Sequence, residues 1–389
     1  MKVAYVTLYD VLNPEKWPSK HQAGIYGAGY YLAKTLEISS VSVDYIGPIT
    51  EKKSLITSGK FRIYHHLLKK QYYSWAEPLI LKDFAQRISK KLSILNSDLV
   101  LCPINAVPIA YLECKQPIVL WTDTTLESLI DFYPFLTNLC QETILNIKGM
   151  ERAALNKCKL VIYTSDWAAK AAVKAYQIEP DKVKVIPWGA NIECDRTIDT
   201  IDSMLKIKPL NPCKLLFIGV DWIRKGGNIA LEVAKELNKI GLKTELTIVG
   251  CEPLVNEPLP HFVKVLGYIN KSTEEGNEKI NKLFAESHFL ILPTLADCSP
   301  FVLAEANSFG VPCLATKVGG IPTMIKDDLN GKTFSTNASV TEYCTYISNL
   351  FNITGQYKRL ALSSFDEYQT RLNWAVSVET AKKLLRELV

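Results

Sequence analysis

The sequence predicts an α/β protein with two doubly wound parallel-sheet domains, and three observations support this. The chain has 389 residues, more than a single hydrophobic core usually serves. Short apolar runs alternate with helical patterns, which is typical of parallel strands joined by crossover helices. The alternation stops around residues 191–212 and then begins again. We therefore expect one domain at 1–190, a linker at 191–212 and a second domain at 213–369.

The strands of each domain are predicted from short apolar runs that end at turn residues. In the first domain we expect strands at 3–8, 42–46, 98–103, 118–121, 160–164 and 183–187. In the second domain we expect strands at 214–219, 245–250, 263–266, 289–293 and 313–315. The last stretch, 374–389, has the apolar spacing of an amphipathic helix.

The composition is that of an ordinary globular protein, with 48% hydrophobic and 22% charged residues, and disorder is not indicated. The ten cysteines form no C-x-x-C pair, so neither a zinc site nor a disulfide framework is predicted. No apolar run approaches the roughly 18 residues that span a bilayer, and residues 1–8 fit a buried strand better than a signal peptide. Because free cysteines suit a reducing compartment, we expect a cytoplasmic protein.

Positive charge is concentrated in residues 52–91, where ten Lys and Arg face only Glu77 and Asp83. Aromatic residues are interleaved with these cations. Such a surface is compatible with peripheral contact with anionic lipid headgroups at the cytoplasmic face of a membrane, or with an acidic acceptor. A solvated helical face explains the charge equally well. Nucleic acid is not an expected partner, because no binding motif accompanies the basic residues.

An acidic pair follows the strand predicted at 289–293. Asp297 lies in the loop, and Glu305 lies in a helix whose start is predicted at Ser299 and Pro300. Gly310 supplies the C-terminal stop. This places both carboxylates at the carboxyl edge of a parallel sheet, where doubly wound folds bind their ligands. A carboxylate there can accept hydrogen bonds from ribose or sugar hydroxyls.

Two basic residues, Arg224 and Lys225, follow the first strand of the second domain and its Gly219. They stand at the start of a predicted helix, where cations are disfavoured. A bound diphosphate would account for their position, since a lysine stabilises the charge that develops on a leaving pyrophosphate. Two solvated side chains are the simpler alternative.

The first domain offers two further candidates. Gly27 and Gly29 belong to a glycine-rich segment that runs into a helix, and glycines allow the backbone to approach a ligand closely. A purely structural turn is an equally good interpretation of either glycine. Asp123 follows the strand predicted at 118–121, where it could accept a hydroxyl hydrogen bond, help to deprotonate an acceptor, or cap the next helix.

Together these segments resemble the retaining glycosyltransferases of family 4. That family's signature is a Glu, seven residues, then Glu-Ala-x-x-x-Gly-x-Pro, and here it covers Asp297 to Pro312. The resemblance extends over almost the whole chain and implies the GT-B architecture, two Rossmann-like domains facing each other across a cleft. It also implies that the C-terminal helix, 370–389, packs back on the first domain.

The resemblance assigns roles to individual residues. Glu305 would hydrogen-bond the donor ribose, Asp297 would hold hydroxyls of the transferred sugar, and Lys225 would contact the phosphates, with Arg224 as a weaker candidate. Asp123 stands where many relatives carry a histidine that contacts the sugar. Further donor-binding candidates are Gly27, Gly29, Gly219, Gly250, Gly267, Tyr268, Ser299, Phe301 and Val302.

This sequence departs from the family pattern at two places. The first acid is Asp297 instead of Glu, and Cys298, Ser299 and Pro300 replace the usual Gly-Phe-Gly. Because proline has no N–H, one main-chain donor for phosphate is missing. The sugar preference is therefore expected to differ from that of typical members.

The function implied by the resemblance is hexosyl transfer from a nucleoside diphosphate sugar with retained anomeric configuration. The acceptor is left open as a glycan, a lipid-linked molecule or a small molecule. No cofactor or metal is expected, because no Asp-x-Asp motif appears. The alternatives are a nucleotide-sugar epimerase of the same architecture and a non-catalytic nucleotide-sugar-binding protein. A dinucleotide-dependent oxidoreductase is disfavoured, because G-x-G-x-x-G and its ribose acid are absent.

Overall fold

The structure is a computed structural model that describes residues 1–14, 23–52, 54–353 and 355–389. Its strands are β1 (Lys2–Val6), β2 (Ser42–Ile46), β3 (Leu99–Ile104), β4 (Ile118–Thr122), β5 (Cys158–Tyr163), β6 (Val183–Val185), β7 (Cys213–Ile218), β8 (Thr244–Val249), β9 (Val263–Val265), β10 (Phe289–Leu292), β11 (Cys313–Thr316) and β12 (Gly331–Phe334). Its α-helices are α1 (Ala23–Ile38), α2 (Leu55–Arg62), α3 (Pro78–Leu92), α4 (Leu126–Leu129), α5 (Gln141–Lys157), α6 (Asp166–Tyr176), α7 (Ile198–Ile207), α8 (Gly227–Lys239), α9 (Glu274–Glu286), α10 (Phe301–Asn307), α11 (Ile321–Met324), α12 (Val340–Asn352), α13 (Gln356–Arg371) and α14 (Trp374–Arg386).

The strands form two parallel sheets of six strands each. Their orders are β2-β1-β3-β4-β5-β6 and β12-β11-β10-β7-β8-β9. In each sheet the chain first builds outward in one direction and then returns to the other side of its first strand, which is the doubly wound pattern. The predicted α/β class with two such sheets is confirmed, and each of the eleven predicted strands is present.

The chain divides into two compact units. Unit 1 contains the first sheet and includes Ser377–Val389, while unit 2 spans Trp188–Val376 and contains the second sheet. Helix α14 therefore begins in unit 2 and continues in unit 1. Within unit 1, the Ser377 hydroxyl donates a hydrogen bond of 2.7 Å to the Pro187 carbonyl, and Lys382 donates one of 3.2 Å to the Ser39 carbonyl.

The segment predicted as an irregular linker contains a helix. Residues 198–207 form α7, which begins after Thr197, whose side chain accepts a hydrogen bond from the Thr200 N–H group. Ile201 is fully buried in the core of unit 2. The helix was not predicted because residues 195–203 are mostly polar. The apolar residues among them form a single stripe, and one stripe is enough for a helix that lies on a domain surface.

Both sheets are buried on their two faces by helices, so their central strands are almost entirely apolar. All residues of β3, β4 and β10 are buried. This is the pattern expected for parallel strands covered on both sides. Because β3, β4 and β10 contain no charged residue, the charged groups next to these strands lie in the loops at the strand ends.

Candidate functional site

The acidic segment of unit 2 has the predicted order of strand, loop and helix. Asp297 lies in the loop between β10 and α10 and is 5% exposed, and Glu305 lies within α10 and is 3% exposed. The helix begins at Phe301, with Pro300 in the cap position and without a side-chain cap. The predicted cap, Ser299, instead donates its hydroxyl hydrogen bond to the Cys298 carbonyl at 2.8 Å. The helix start is thus one or two residues later than predicted.

Asp297 is paired with the basic segment that follows β7. The Lys225 Nζ atom lies 2.6 Å from the Asp297 Oδ2 atom, and the Arg224 Nη1 atom lies 3.8 Å from the same oxygen. Arg224 also donates to the Ala296 carbonyl at 2.8 Å and accepts a bond from the Leu295 N–H group at 2.7 Å. The structure therefore brings Asp297 close to the adjacent residues Arg224 and Lys225, although Lys225 lies 72 positions away from Asp297 in the sequence.

The turn that presents Lys225 requires a glycine. Gly226 has a φ of 76°, and a Cβ atom there would lie 1.9 Å from the Pro293 carbonyl oxygen. The loops after β7 and β10 can approach this closely because residue 226 lacks a side chain. The Asp221 carboxylate stabilises the same turn by accepting a bond of 3.0 Å from the Arg224 N–H group.

Glu305 is paired with Lys271, a residue that the sequence analysis missed. The Lys271 ammonium group donates to the Glu305 carboxylate, which is almost fully buried, while the Lys271 side chain is 36% exposed. Lys271 follows β9 by six residues and precedes α9. No motif marks it in the sequence, since the contact joins segments that are 34 positions apart and becomes apparent only when the sheet is assembled.

Three predicted glycines of unit 2, Gly219, Gly250 and Gly267, lie together at the carboxyl ends of β7, β8 and β9. The Gly250 N–H group donates a bond of 2.7 Å to the Gly267 carbonyl. A Cβ atom at Gly250, whose φ is 101°, would lie 2.6 Å from the Gly219 carbonyl oxygen. Tyr268, next to Gly267, is 45% exposed. This cluster keeps the strand ends close to one another and leaves one aromatic ring accessible.

Two other predicted donor-binding residues point their side chains into the protein. The Phe301 ring stacks on the Trp188 ring at a centroid distance of 5.5 Å and an interplanar angle of 8°. Val302 is 9% exposed and belongs to the apolar core of unit 2. Their side chains therefore stabilise the position of α10.

In unit 1 the predicted glycines lie within a helix instead of a loop. Gly27 and Gly29 belong to α1, which has already begun at Ala23. A Cβ atom at Gly29 would lie 1.9 Å from the Tyr9 hydroxyl oxygen, and the Gly29 carbonyl accepts a bond of 2.7 Å from the Tyr5 hydroxyl. The physical reason for glycine at position 29 is thus the close packing of tyrosines against the first turns of α1.

Asp123 lies directly after β4, at the carboxyl edge of the first sheet, and is half-buried. It does not cap the following helix. Thr125 is the cap of α4, because its side chain accepts a bond of 3.1 Å from the Ser128 N–H group. Of the two interpretations of Asp123, capping is wrong and a role in ligand contact stays a prediction.

Metal-binding clusters and membrane-spanning helices are both absent from the described part of the chain. No group of three or more His, Cys, Asp or Glu side chains is arranged to hold a metal ion there. Among the described helices, none combines the length and apolarity needed to cross a membrane.

The chain is similar to known glycosyltransferases. Residues 212–352 match the family model of glycosyl transferases group 1. The D-inositol 3-phosphate glycosyltransferase of Acidothermus cellulolyticus is 25% identical over 183 residues, which are 44% of this chain and 41% of that protein. The chain thus spans about two fifths of the length of the curated relatives it matches.

Solved structures match over the whole chain. The sucrose-phosphate synthase of Thermosynechococcus elongatus has a TM-score of 0.69 at 14% identity, with 100% of this chain and 98% of that chain covered. HepE of Anabaena, solved in complex with UDP-glucose, has a TM-score of 0.62 at 15% identity, with both chains covered completely. The chain therefore carries a group 1 glycosyltransferase domain at residues 212–352 and has the GT-B fold.

Proposed function

We propose that this protein transfers a hexosyl group from a nucleoside diphosphate sugar to an acceptor, with retention of the anomeric configuration. The observation that carries the proposal is the pair of buried carboxylates, Asp297 and Glu305, each matched to a lysine at one edge of the second sheet. In the proposed complex the donor binds mainly to unit 2 and the acceptor mainly to unit 1.

The position of these pairs in the sheet supports a ligand site. Strand β7 is hydrogen-bonded to β8 on one side and to β10 on the other, so the chain changes direction between β7 and β10. Ligands of doubly wound sheets bind outside the carboxyl ends of the strands at this switch point. Lys225 and Asp297 lie in the two loops that follow these strands.

The charges suit a donor that is anionic at one end and rich in hydroxyls at the other. Lys225 and Arg224 provide positive charge for the diphosphate, and the nearby Asp297 carboxylate can accept hydrogen bonds from sugar hydroxyls. Glu305 can accept hydrogen bonds from the ribose. In the absence of donor, each lysine is neutralised by its own acid, so the site holds its charges without leaving them unpaired in a buried position.

Catalysis in this proposal depends on positioning and on stabilisation of the leaving group. The bond between the sugar C1 atom and the diphosphate oxygen breaks, the acceptor oxygen bonds to C1 on the same face, and the acceptor proton passes to the departing phosphate. Lys225 stabilises the negative charge that develops on the diphosphate. A UDP-Gal-dependent galactosyltransferase of Escherichia coli, similar to this chain, and the structural neighbour HepE, solved with UDP-glucose, support this donor class.

The proposal is tested with Lys225→Ala and Glu305→Gln. Each variant should reduce sugar transfer at least tenfold, which corresponds to about 1.4 kcal/mol of barrier. A panel of nucleoside diphosphates and their sugars should first identify a ligand that raises the thermal unfolding temperature of the wild type. Lys264→Met is the matched control, because Lys264 forms an exposed pair with Glu245 on the same sheet.

Wild-type transfer rates in both site variants would contradict the assignment. Binding of a nucleotide sugar without turnover on any acceptor would favour a non-catalytic binding protein. Conversion of the bound sugar without an acceptor would favour an epimerase.

A further inference from the structure

The surface of residues 54–70 in unit 1 has an unusual distribution of apolar side chains. Helix α2 continues directly into a π-helical turn at Ile63–Leu67, so the segment is one continuous helix. Its large apolar residues face solvent, with exposed fractions of 93% for Leu55, 64% for Ile56, 52% for Ile63, 75% for Leu67 and 52% for Leu68. In this segment only Thr57 is buried.

The amphipathic pattern of this helix is inverted. A surface helix normally packs its apolar face on the core and shows its polar face to water. Here the residues that contact the rest of unit 1 are polar. The Lys60 Nζ atom lies 3.0 Å from Glu77 and 2.5 Å from Glu142, and the Tyr64 hydroxyl donates to Glu142 at 3.0 Å.

These polar contacts fix the orientation of the helix. Lys60 is held between two carboxylates, and the Tyr64 ring stacks on the Tyr72 ring at 5.5 Å. Ile56, Ile63 and Leu67, spaced by seven and four residues, form a stripe that runs alongside Lys60, and each of the three side chains is more than half exposed. Since monomeric proteins rarely expose a contiguous apolar patch of this kind, such a patch marks an interaction site.

The charged residues within this stretch of the chain are all positive, and one of them, Lys60, is neutralised by Glu77 and Glu142. Residues 52–76 include six Lys and Arg and no Asp or Glu. Arg62 and Lys69 are exposed and form no ion pair with a described residue. His65 and His66 are exposed on the same segment. A partner for this surface must therefore offer negative charge beside an apolar layer.

We propose that residues 54–70 dock unit 1 on an anionic phospholipid surface. Ile56, Ile63 and Leu67 enter the boundary between headgroups and acyl chains, and Arg62 and Lys69 contact the lipid phosphates. Amphipathic helices that lie in the membrane interface, with an apolar face and flanking cations, bind membranes in this way. A second copy of the chain is a poor occupant, because a two-fold contact would place the same positive charges opposite each other.

The experiment uses the full chain and flotation with phosphatidylcholine vesicles prepared with and without phosphatidylglycerol. We expect the wild type to float with the anionic vesicles and to be released by salt. The double variant Ile63→Ser/Leu67→Ser should reduce binding at least tenfold. Arg62→Gln and Lys69→Gln should each reduce it about fivefold, on anionic vesicles only.

The matched control is Ile207→Ser, since Ile207 is an isoleucine of α7 in unit 2 that is 84% exposed; it should bind vesicles like the wild type. Nucleotide binding should be the same in all these proteins, so a failure of the lipid proposal is distinguishable from a failure of the proposed function. The proposal is overturned if the wild type ignores anionic vesicles or if the double variant binds them equally well. It is also overturned if sedimentation shows a dimer that the double variant abolishes, because the surface would then belong to a second copy.

Discussion

Glu151 of unit 1 and the two carboxylates of the acidic segment in unit 2 are all buried, but they are neutralised differently. In unit 2, Asp297 and Glu305 each contact a lysine. In unit 1, Glu151 is 3% exposed and contacts neutral donors: the Tyr176 hydroxyl at 2.6 Å and two main-chain N–H groups at the start of α4. No cation of the described chain forms an ion pair with Glu151.

This difference distinguishes Glu151, a structural acid, from the acids of the proposed ligand site. Neutral donors fix Glu151 in place and tie α5 to α4, and burial raises its pKa to about 7. A lysine that balances an acid can instead turn part of its hydrogen-bonding capacity to an anionic ligand, since it has three donors. Glu77 of unit 1 is buried and also pairs with a lysine, Lys60, so a cationic partner alone does not mark a ligand site. What distinguishes the two pairs of unit 2 is their position at the carboxyl edge of the second sheet, where doubly wound folds bind ligands.

The largest expected effect concerns the turn that presents Lys225. Gly226→Ala should destabilise the protein by about 3 kcal/mol or more, because it adds left-handed strain and a collision with the Pro293 main chain. Gly29→Ala in unit 1 is the comparison, since its added methyl group meets the end of the Tyr9 side chain. Urea denaturation measures both. Equal losses would show that the unit 2 turn is no more constrained than α1.

The second prediction concerns the pH dependence of Glu151. Its pKa is raised, mainly by burial, from 4.5 to about 7, so the folded state favours the neutral acid. The stabilisation is complete below about pH 4.5 and is lost as the pH rises through about 7. The total change is at most about 3 kcal/mol.

Glu151→Gln tests this pH dependence, because glutamine is neutral at every pH. Relative to the wild type, the variant should gain free energy of unfolding as the pH rises across that window. Glu113→Gln is the control, since the Glu113 side chain is 86% exposed. A difference between Glu151→Gln and wild type that stays constant with pH would mean that folding does not raise the pKa of Glu151.

The third prediction concerns the lysine found only in the structure. Lys271→Met leaves Glu305 buried without its cation, and loss of one partner from such a pair is costly. Because Lys271 is 36% exposed, solvent reduces the loss to about 2 kcal/mol in the free energy of unfolding. The double variant Lys271→Met/Glu305→Gln should recover part of it. An unchanged free energy of unfolding in Lys271→Met would show that the ion pair between Lys271 and Glu305 does not stabilise the protein.

The sequence predicted the local parts of the molecule better than the contacts between them. Strand–loop–helix order placed Asp297 and Glu305 in a loop and a helix, as the structure confirms, because that order depends on neighbouring residues. Strand β12 was missed, since Gly331–Phe334 is short and has only one large apolar residue. Lys271 was missed because its contact with Glu305 depends on the order of strands in the sheet.

The smallest expected effect tests whether the edge of the first sheet takes part in chemistry at all. Asp123 is the one candidate acid there, and Thr125 already performs the capping that would have explained it. If Asp123 accepts a hydrogen bond from the acceptor hydroxyl, Asp123→Asn should lower the transfer rate about tenfold, close to 1.4 kcal/mol. Donor affinity should not change, because the proposed donor site lies in unit 2.

Initial rates at saturating donor, together with calorimetric titration of the nucleotide, separate these two quantities. Asp181→Asn serves as the control, since Asp181 is exposed in the same unit. A loss of nucleotide affinity in Asp123→Asn would indicate that Asp123 contacts the donor instead of the acceptor. An unchanged rate would leave unit 1 without a catalytic acid among the candidates, and all of the site's essential charge would then lie in unit 2, where each acid has its own lysine.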